Sequence, residues 1–153
     1  MRFFSPVSRI RDIPYFVSAL ATPVFGFMLN LPDEVGAANN IAVQFPVPAN
    51  WDGVSDITIT TIWMAFSTGL VDLETQIVYS ITTDESDQVT LQAFTNTNLT
   101  WVTTTKTKVL TTTILAANVA ANRYFEVAFR RSTGDANTGN LTFRGASVRT
   151  GIS

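Results

Sequence analysis

The feature that most constrains this fold is the alternation of apolar and polar residues over residues 56–83. In the first half of this stretch Ile59 and Trp63 share one side, and in the second half Ile77 and Tyr79 do. Successive side chains of a strand point to opposite faces, so such alternation is typical of strands with one face buried. We therefore predict two half-buried strands with a connection rich in Ser, Thr and Gly between them.

These two strands are interpreted as the central antiparallel pair of a β-sandwich, with Ser67–Gly69 as the turn that joins them. A third strand is predicted at residues 124–131, with Phe125 facing inward and Arg130 facing outward. The predicted core brings together the inward residues of all three strands: Ile57, Ile59, Trp63, Ile77, Tyr79, Phe125, Val127 and Phe129.

Further short runs complete the prediction of an all-β chain. Threonine is dense over residues 99–115, and a high content of β-branched residues disfavours a helix and suits extended pairing. A short helical turn is expected at residues 116–122. In total we expect about eight strands, which indicates an antiparallel sandwich or barrel. Besides those already given, the predicted strands lie within 24–31, 41–46, 89–94 and 141–150.

The composition excludes several kinds of active site. The sequence has no histidine and no cysteine, so a Ser/His or Cys/His pair cannot form within the chain, and disulfides and thiolate metal sites are excluded. Asp84, Glu85 and Asp87 could bind Ca²⁺, but a solvated turn is the better interpretation. Asp52 and Asp56 could be paired carboxylates for sugar hydrolysis, although turn and strand-start roles fit better. We expect no enzyme, no cofactor and no bound metal.

Charge is sparse and unevenly distributed. Charged residues make up 14% of the sequence, below the roughly one quarter of typical proteins, which suggests that other protein covers part of the surface. Residues 12–105 hold ten acidic residues and no Lys or Arg, whereas residues 106–153 hold seven basic ones. The interleaved strands of the fold could mix these charges, or a basic segment could contact an acidic face of a partner. The net charge of −2 argues against general nucleic-acid binding.

The first 21 residues are predicted to form an arm that precedes a sandwich domain at residues 22–153. A signal peptide is a poor interpretation because the apolar run is short and bracketed by Pro14 and Pro23. A membrane span is disfavoured because the same prolines and Gly26 interrupt the apolar stretch.

An arm with this many apolar residues stays ordered only if it docks on protein. Its own sandwich and a neighbouring copy are both open as partners, and we expect a neighbouring copy or a shell protein. The expected interface residues are four aromatic anchors and two arginines that would face acidic surface: Phe3, Phe4, Arg9, Arg11, Tyr15 and Phe16.

Tryptophan offers a second kind of site. Trp51 and Trp101 are the better candidates for exposed aromatic rings, whereas Trp63 is in phase with the core. Exposed rings of this kind could stack on sugars, so the two residues are possible ligand-binding residues.

The order of the segments resembles a known kind of protein. The loop PANWDGVSD is followed by ITITTIWM, ETQIVYSI, the threonine-rich TTTKTKVLTTTIL, YFEVAFRR, STGDANTGN and LTFRGASVR. This layout, over Ala42 to Val148, resembles the small jelly-roll virion proteins of tailed bacteriophages, with Trp63, Arg130 and Arg131 as its best-placed residues.

The resemblance implies an antiparallel β-sandwich of jelly-roll type with an N-terminal arm. It also implies a homotrimer that binds a phage capsid or another virion protein, at the phage head surface, as a decoration (cement) protein. A fibre, receptor-binding or carbohydrate-binding β-sandwich module is the alternative. Neither function needs a cofactor, nucleic acid or a membrane as a partner.

Overall fold

A computed structural model describes residues 9–19, 23–24, 28–31, 40–81, 88–132, 135 and 137–153. These residues form eleven strands and one 3-10 turn, Ala116–Asn118, so no helix in the described ranges is long and apolar enough to cross a membrane. The strands are β1 (Arg9–Asp12), β2 (Phe16–Ala19), β3 (Pro23–Val24), β4 (Met28–Leu31), β5 (Asn40–Pro46), β6 (Ile57–Ala65), β7 (Gly69–Ile81), β8 (Val89–Trp101), β9 (Thr107–Ile114), β10 (Arg123–Arg131) and β11 (Leu141–Ile152).

The strands form two antiparallel sheets. In the six-stranded sheet the order is β3-β4-β11-β6-β9, and β1 pairs with the far end of β11. In the five-stranded sheet the order is β2-β5-β10-β7-β8. From β4 to β7 and again from β8 to β11, each connection passes from one sheet to the other. The prediction of an all-β antiparallel sandwich of jelly-roll type is confirmed.

The predicted pairing of the two central strands is wrong. β6 and β7 lie in different sheets: β6 pairs with β11 and β9, and β7 pairs with β10 and β8. The segment Ser67–Gly69 therefore crosses between the sheets, and Gly69 adopts a φ of 123°, which favours glycine. Alternation identifies the buried face of a strand but says nothing about its hydrogen-bonded neighbour. Two apolar faces can be buried by facing each other as well as by lying side by side.

The predicted core is confirmed in its membership. The chosen residues of β6 and β10 and Ile77 of β7 are at most 2% exposed, while Tyr79 is half-buried and packs against them. The Trp63 ring lies 5.5 Å from that of Phe129 in the opposite sheet and 5.2 Å from that of Phe143 in its own sheet, both in edge-on geometry. Such aromatic pairs contribute beyond their buried area.

The indole N–H of Trp63 is satisfied inside the core. Its Nε1 donates to Thr61 Oγ1 over 2.8 Å, and the Thr61 hydroxyl donates in turn to the Leu110 carbonyl of β9 over 3.3 Å. A buried polar group without such a partner would cost about 1–3 kcal/mol. Thr61 is thus the polar member of an otherwise apolar face.

A buried polar cluster joins the end of β10 to the described residues that lie between β10 and β11. Arg131, one of the residues that carry the resemblance, donates from Nη2 to Asp135 over 2.5 Å and from Nη1 to the Gly139 carbonyl over 2.7 Å. The Arg131 and Asp135 side chains are 3% and 1% exposed. Asn137 joins the cluster to the crossing between the sheets, because its Nδ2 donates to the Ser67 carbonyl over 2.9 Å.

Truncation of the Phe125 ring tests whether this side of β10 faces the core. We expect Phe125→Ala to lower the free energy of unfolding by about 3–5 kcal/mol, because it leaves a cavity where the ring contacts Phe45 and Tyr79. Urea denaturation measures this, and Val109→Ala, at a side chain that is 60% exposed, is the control. An unchanged midpoint for Phe125→Ala would contradict the packing described.

Removal of one charge tests the buried cluster. Asp135→Ala leaves the Arg131 guanidinium buried without its counter-ion, and we expect a loss of about 3–5 kcal/mol in the free energy of unfolding. The double variant Arg131→Met/Asp135→Ala removes both charges and should be less destabilised than the single variant. Equal stability of Asp135→Ala and the wild type in urea would show that the pair contributes nothing.

Candidate binding faces

Trp101 is not an exposed stacking residue, and that prediction is wrong. Its side chain is 1% exposed and belongs to the core between the sheets. Its Nε1 donates to the Lys106 carbonyl over 2.8 Å, within the turn that leads from β8 to β9. Since Trp101 closes this end of the core, the two-tryptophan sugar platform does not form.

Trp51 is half-buried and packs against the edge of the core. Its Nε1 donates to the Ser55 carbonyl over 2.9 Å, and its backbone forms an isolated bridge with Ile152. The ring therefore holds the loop before β6 against the end of β11. Ligand binding by Trp51 stays a prediction.

The two acids near Trp51 have structural partners, as the turn interpretation predicts. Asp52 accepts hydrogen bonds from the backbone N–H of Ser55 and from its hydroxyl, over 2.8 and 2.6 Å. Asp56 accepts from the Ala116 N–H over 2.7 Å. No group of three potential metal-ligating side chains occurs in the described ranges, and the predicted turn at Asp84, Glu85 and Asp87 lies outside them.

The described part of the arm pairs with its own chain, which is one of the two docking partners that the sequence left open, and contact with a neighbouring copy stays a prediction. β1 pairs with β11 and β2 pairs with β5, so each adds a strand to one of the sheets. Between them Ile13 is buried in the core, and the Tyr15 hydroxyl donates to the Ala146 carbonyl over 2.5 Å. Short edge strands of this kind form their backbone hydrogen bonds with the sheets of the sandwich.

The remaining arm residues divide into exposed ones and undescribed ones. Phe16 is 68% exposed and Arg11 is exposed, so contact with a partner stays a prediction for both. Phe3 and Phe4 lie outside the described residues, and the Arg9 side chain does as well, although its backbone is part of β1.

The outer face of the five-stranded sheet carries short side chains between longer polar ones. Ala42 on β5, Ala128 on β10 and Val78 on β7 point away from the core, yet they are only 2–3% exposed. Ala42 and Ala128 are directly paired across the strands, whereas on β7 Gln76 lies opposite Ala128 and Val78 lies opposite Glu126. These three covered side chains and the longer polar side chains around them make up the patch that we call the polar trough.

The sides of the polar trough are longer side chains that hold one another in place. On one side Gln44 Nε2 donates to Glu126 Oε2 over 2.5 Å. On the other side Arg130 Nε donates to Glu74 Oε2 over 2.6 Å, and the Arg130 guanidinium carbon lies 3.7 Å from the centroid of the Phe94 ring. Glu126 and Arg130 are four residues apart on one strand, so the two sides are about 13 Å apart. All five side chains are half-buried.

The outer face of the six-stranded sheet has a different chemistry. Thr58 of β6 pairs with Thr113 of β9, and Thr60 with Thr111, so two pairs of threonines lie side by side. The next outward-facing pair, Ile62 and Val109, is apolar and is 38% and 60% exposed. We call this surface the threonine face, defined by Thr58, Thr60, Ile62, Val109, Thr111 and Thr113.

The polar trough could not be located from the sequence, although part of the signal was present. Alternation correctly places Glu126 and Arg130 on the outward side of β10. Their partners Gln44 and Glu74 lie on two other strands, 82 and 56 residues away. The four side chains lie together only because of the order of the strands in the sheet. Alternation within one strand does not predict that order.

No family model matches the chain, and no curated protein matches it. Among solved structures, the chain is similar to the xylan-binding module CBM15, with 12% identity and a TM-score of 0.48 over 95% of this chain and 97% of that one. It is also similar to a chain of infectious bursal disease virus, Gx strain, with 12% identity and a TM-score of 0.42 over 94% of this chain and 32% of that one.

A third similar structure is the enzymatically active domain of tailspike protein 4 of bacteriophage CBA120, with 8% identity and a TM-score of 0.39 over 88% of this chain and 19% of that one. Similar structures thus include carbohydrate-binding modules and viral chains. Because the TM-scores are below 0.5, these similarities carry no argument for either function.

Proposed function

We propose that this protein is a non-catalytic structural protein of a virion, a capsid decoration (cement) protein that binds the phage head shell as a homotrimer. The segment order from Ala42 to Val148 supports the class of protein through its resemblance to small jelly-roll virion proteins. The observation that carries the proposal is the threonine face. Another protein can cover this surface at little cost in desolvation and side-chain entropy.

The threonine face is suited to protein contact for two reasons. Its six outward residues carry no charge, so covering them removes no ion from water. All of them are β-branched, with restricted χ1 rotation, and therefore lose little side-chain freedom when a partner covers them. Ile62 and Val109 form an apolar centre with hydroxyl groups beside it, which matches the apolar core and polar rim of protein interfaces.

Charged side chains mark one end of this surface. Arg149 and Asp12 form an ion pair of 2.8 Å beside Thr58, and their side chains are 60% and 72% exposed. An exposed pair of this kind contributes little to folding. Charges at the rim of an interface steer and orient a partner more than they tighten binding.

Two measurements test the proposal together. Light scattering of the isolated protein should give the mass of a trimer, and purified particles should contain the protein in a fixed ratio to the shell protein. The double variant Ile62→Lys/Val109→Lys should lose particle occupancy, because it places two like charges at the apolar centre of the threonine face.

The matched control adds the same charge elsewhere. Asn96→Lys/Asn98→Lys places two lysines on the outer side of β8, in the other sheet, and should keep full occupancy. Thermal melting of both variants confirms that each is folded at the assay temperature. A wild type that is monomeric at all concentrations and absent from particles, or full occupancy by the threonine-face variant, would overturn the proposal.

A further inference from the structure

We propose that copies of this chain associate through opposite edges of the five-stranded sheet, with β2 of one copy paired beside β8 of the next. This inference rests on the trimer proposed above and names the contact that forms it. In the sheet order β2-β5-β10-β7-β8, each outer strand pairs on one side alone within the described residues. The free backbone groups of such an edge can pair with another chain.

β8 is the least protected edge strand in the described part of the sandwich. Natural edge strands are commonly shielded by short length, charge or proline. In the other sheet β9 carries Lys108, β3 spans two residues and begins with Pro23, and β1 spans four residues, of which three are charged. β8 spans 13 residues without a charge or a proline, although 14% of the whole chain is charged.

The second half of β8 offers a regular edge. Register shifts interrupt its first half, whereas from Thr95 to Trp101 every residue pairs in unbroken register with β7. Along this half the core-facing side chains are incompletely covered: Thr97 and Leu99 are half-buried, and Thr95 is exposed. Because β8 is the last strand of its sheet, a further strand beside it would cover them.

β2 has the matching properties at the opposite edge of the same sheet. Its sequence, FVSA, carries no charge. Phe16, on the outer side, is 68% exposed, and Val17 is 36% exposed although it faces the core and pairs with the fully buried Val43. Covering apolar side chains that are this exposed is favourable.

A second copy is the occupant that covers both edges at once. Head-to-tail pairing continues the sheet, so Val17 joins the core-facing side of the neighbouring copy, where Leu99 is half-buried. No charge on either strand is removed from water. A two-fold contact between two β8 edges would instead leave Phe16 and Val17 uncovered. Head-to-tail contacts form a ring when the rotation closes, as a trimer requires.

The pairing is compatible with the lysine control described for particle occupancy. Strands pair through backbone groups in the plane of the sheet, whereas outward side chains such as Asn96 and Asn98 stand roughly perpendicular to that plane. β2 carries no basic residue that would repel lysines at these two positions. The Asn96→Lys/Asn98→Lys variant therefore keeps an edge that can pair.

Disulfide cross-linking tests the pairing, since the chain has no cysteine of its own. Val17→Cys is combined in turn with Thr95→Cys, Thr97→Cys and Leu99→Cys, which cover three registers on the core-facing side of β8. After oxidation we expect at least one double variant to give a covalent trimer in a denaturing gel without reductant. Within one chain β2 and β8 are four strand spacings apart, about 19 Å, whereas a disulfide needs Cα atoms within roughly 7 Å.

Two cysteine variants serve as controls. Val17→Cys/Thr111→Cys places the second cysteine on the threonine face, in the other sheet, and should run as a monomer in the same gel. Thr97→Cys alone should also run as a monomer, because only a two-fold contact between two β8 edges brings its copies together.

A charge at the edge provides an independent measurement. Val17→Asp should give the mass of a monomer in light scattering at concentrations at which the wild type is a trimer, because pairing would cover an ion without a partner. Thr111→Asp adds the same charge to the threonine face and should stay a trimer. Thermal melting verifies that every variant is folded.

The edge pairing is overturned if the wild type is a trimer but no double variant cross-links, if Val17→Asp stays a trimer, or if Thr97→Cys alone gives covalent dimers. None of these results contradicts the virion role. Covalent trimers of the double variants, together with particles that lack the wild-type protein, would support the edge pairing and overturn the virion role alone.

Discussion

The contact between the two sheets at Trp63 is the interaction on which the rest of this structure depends. Trp63 belongs to the six-stranded sheet, and its ring lies against Phe129 of the five-stranded sheet. Both residues are fully buried, and the Thr61 hydroxyl satisfies the single polar group that the indole brings into the core. Because Trp63 and Phe129 fix how the sheets face each other, they also fix which side chains of β6 and β10 point outward. The threonine face and the polar trough are consequences of this packing.

The loop between β10 and β11 shows how a buried charge can be kept at a connection between sheets. Arg131 is at the end of a core strand. The aliphatic part of its side chain lies on the same, core-facing side of β10 as Phe129 and Val127. Its guanidinium is neutralised by Asp135 and receives further acceptors from loop carbonyls. A charge in such a place stabilises the fold only when all these partners are present. The same network reaches Ser67, because Asn137 donates to its carbonyl and its hydroxyl accepts from the Gly139 N–H, so these two residues are held to the crossing from β6 to β7.

The sequence predicted which strand faces are buried better than it predicted how the strands are arranged. Alternation is a property of a single strand, and it correctly assigned Ile57, Trp63, Phe125 and Phe129 to the core. The pairing of β6 and β7 was wrong because neighbours in the chain need not be neighbours in a sheet. The error at Trp101 was avoidable, since Trp101 is in phase with Leu99, which also packs on the core. The polar trough depends on strand order and could not have been read from any one segment.

The pairing of β1 with β11 has a consequence for how the protein reaches its folded state. Asp12 and Arg149 are 137 residues apart in sequence, yet they form an ion pair across adjacent strands. The edge of the six-stranded sheet at β1 can therefore close only after β11 has left the ribosome. Until then the early strands lack their partner, and the nascent chain must avoid pairing with other chains. Folds dominated by such distant pairings fold slowly, in about milliseconds to seconds. Completion of this sheet therefore waits until β11 has been synthesised.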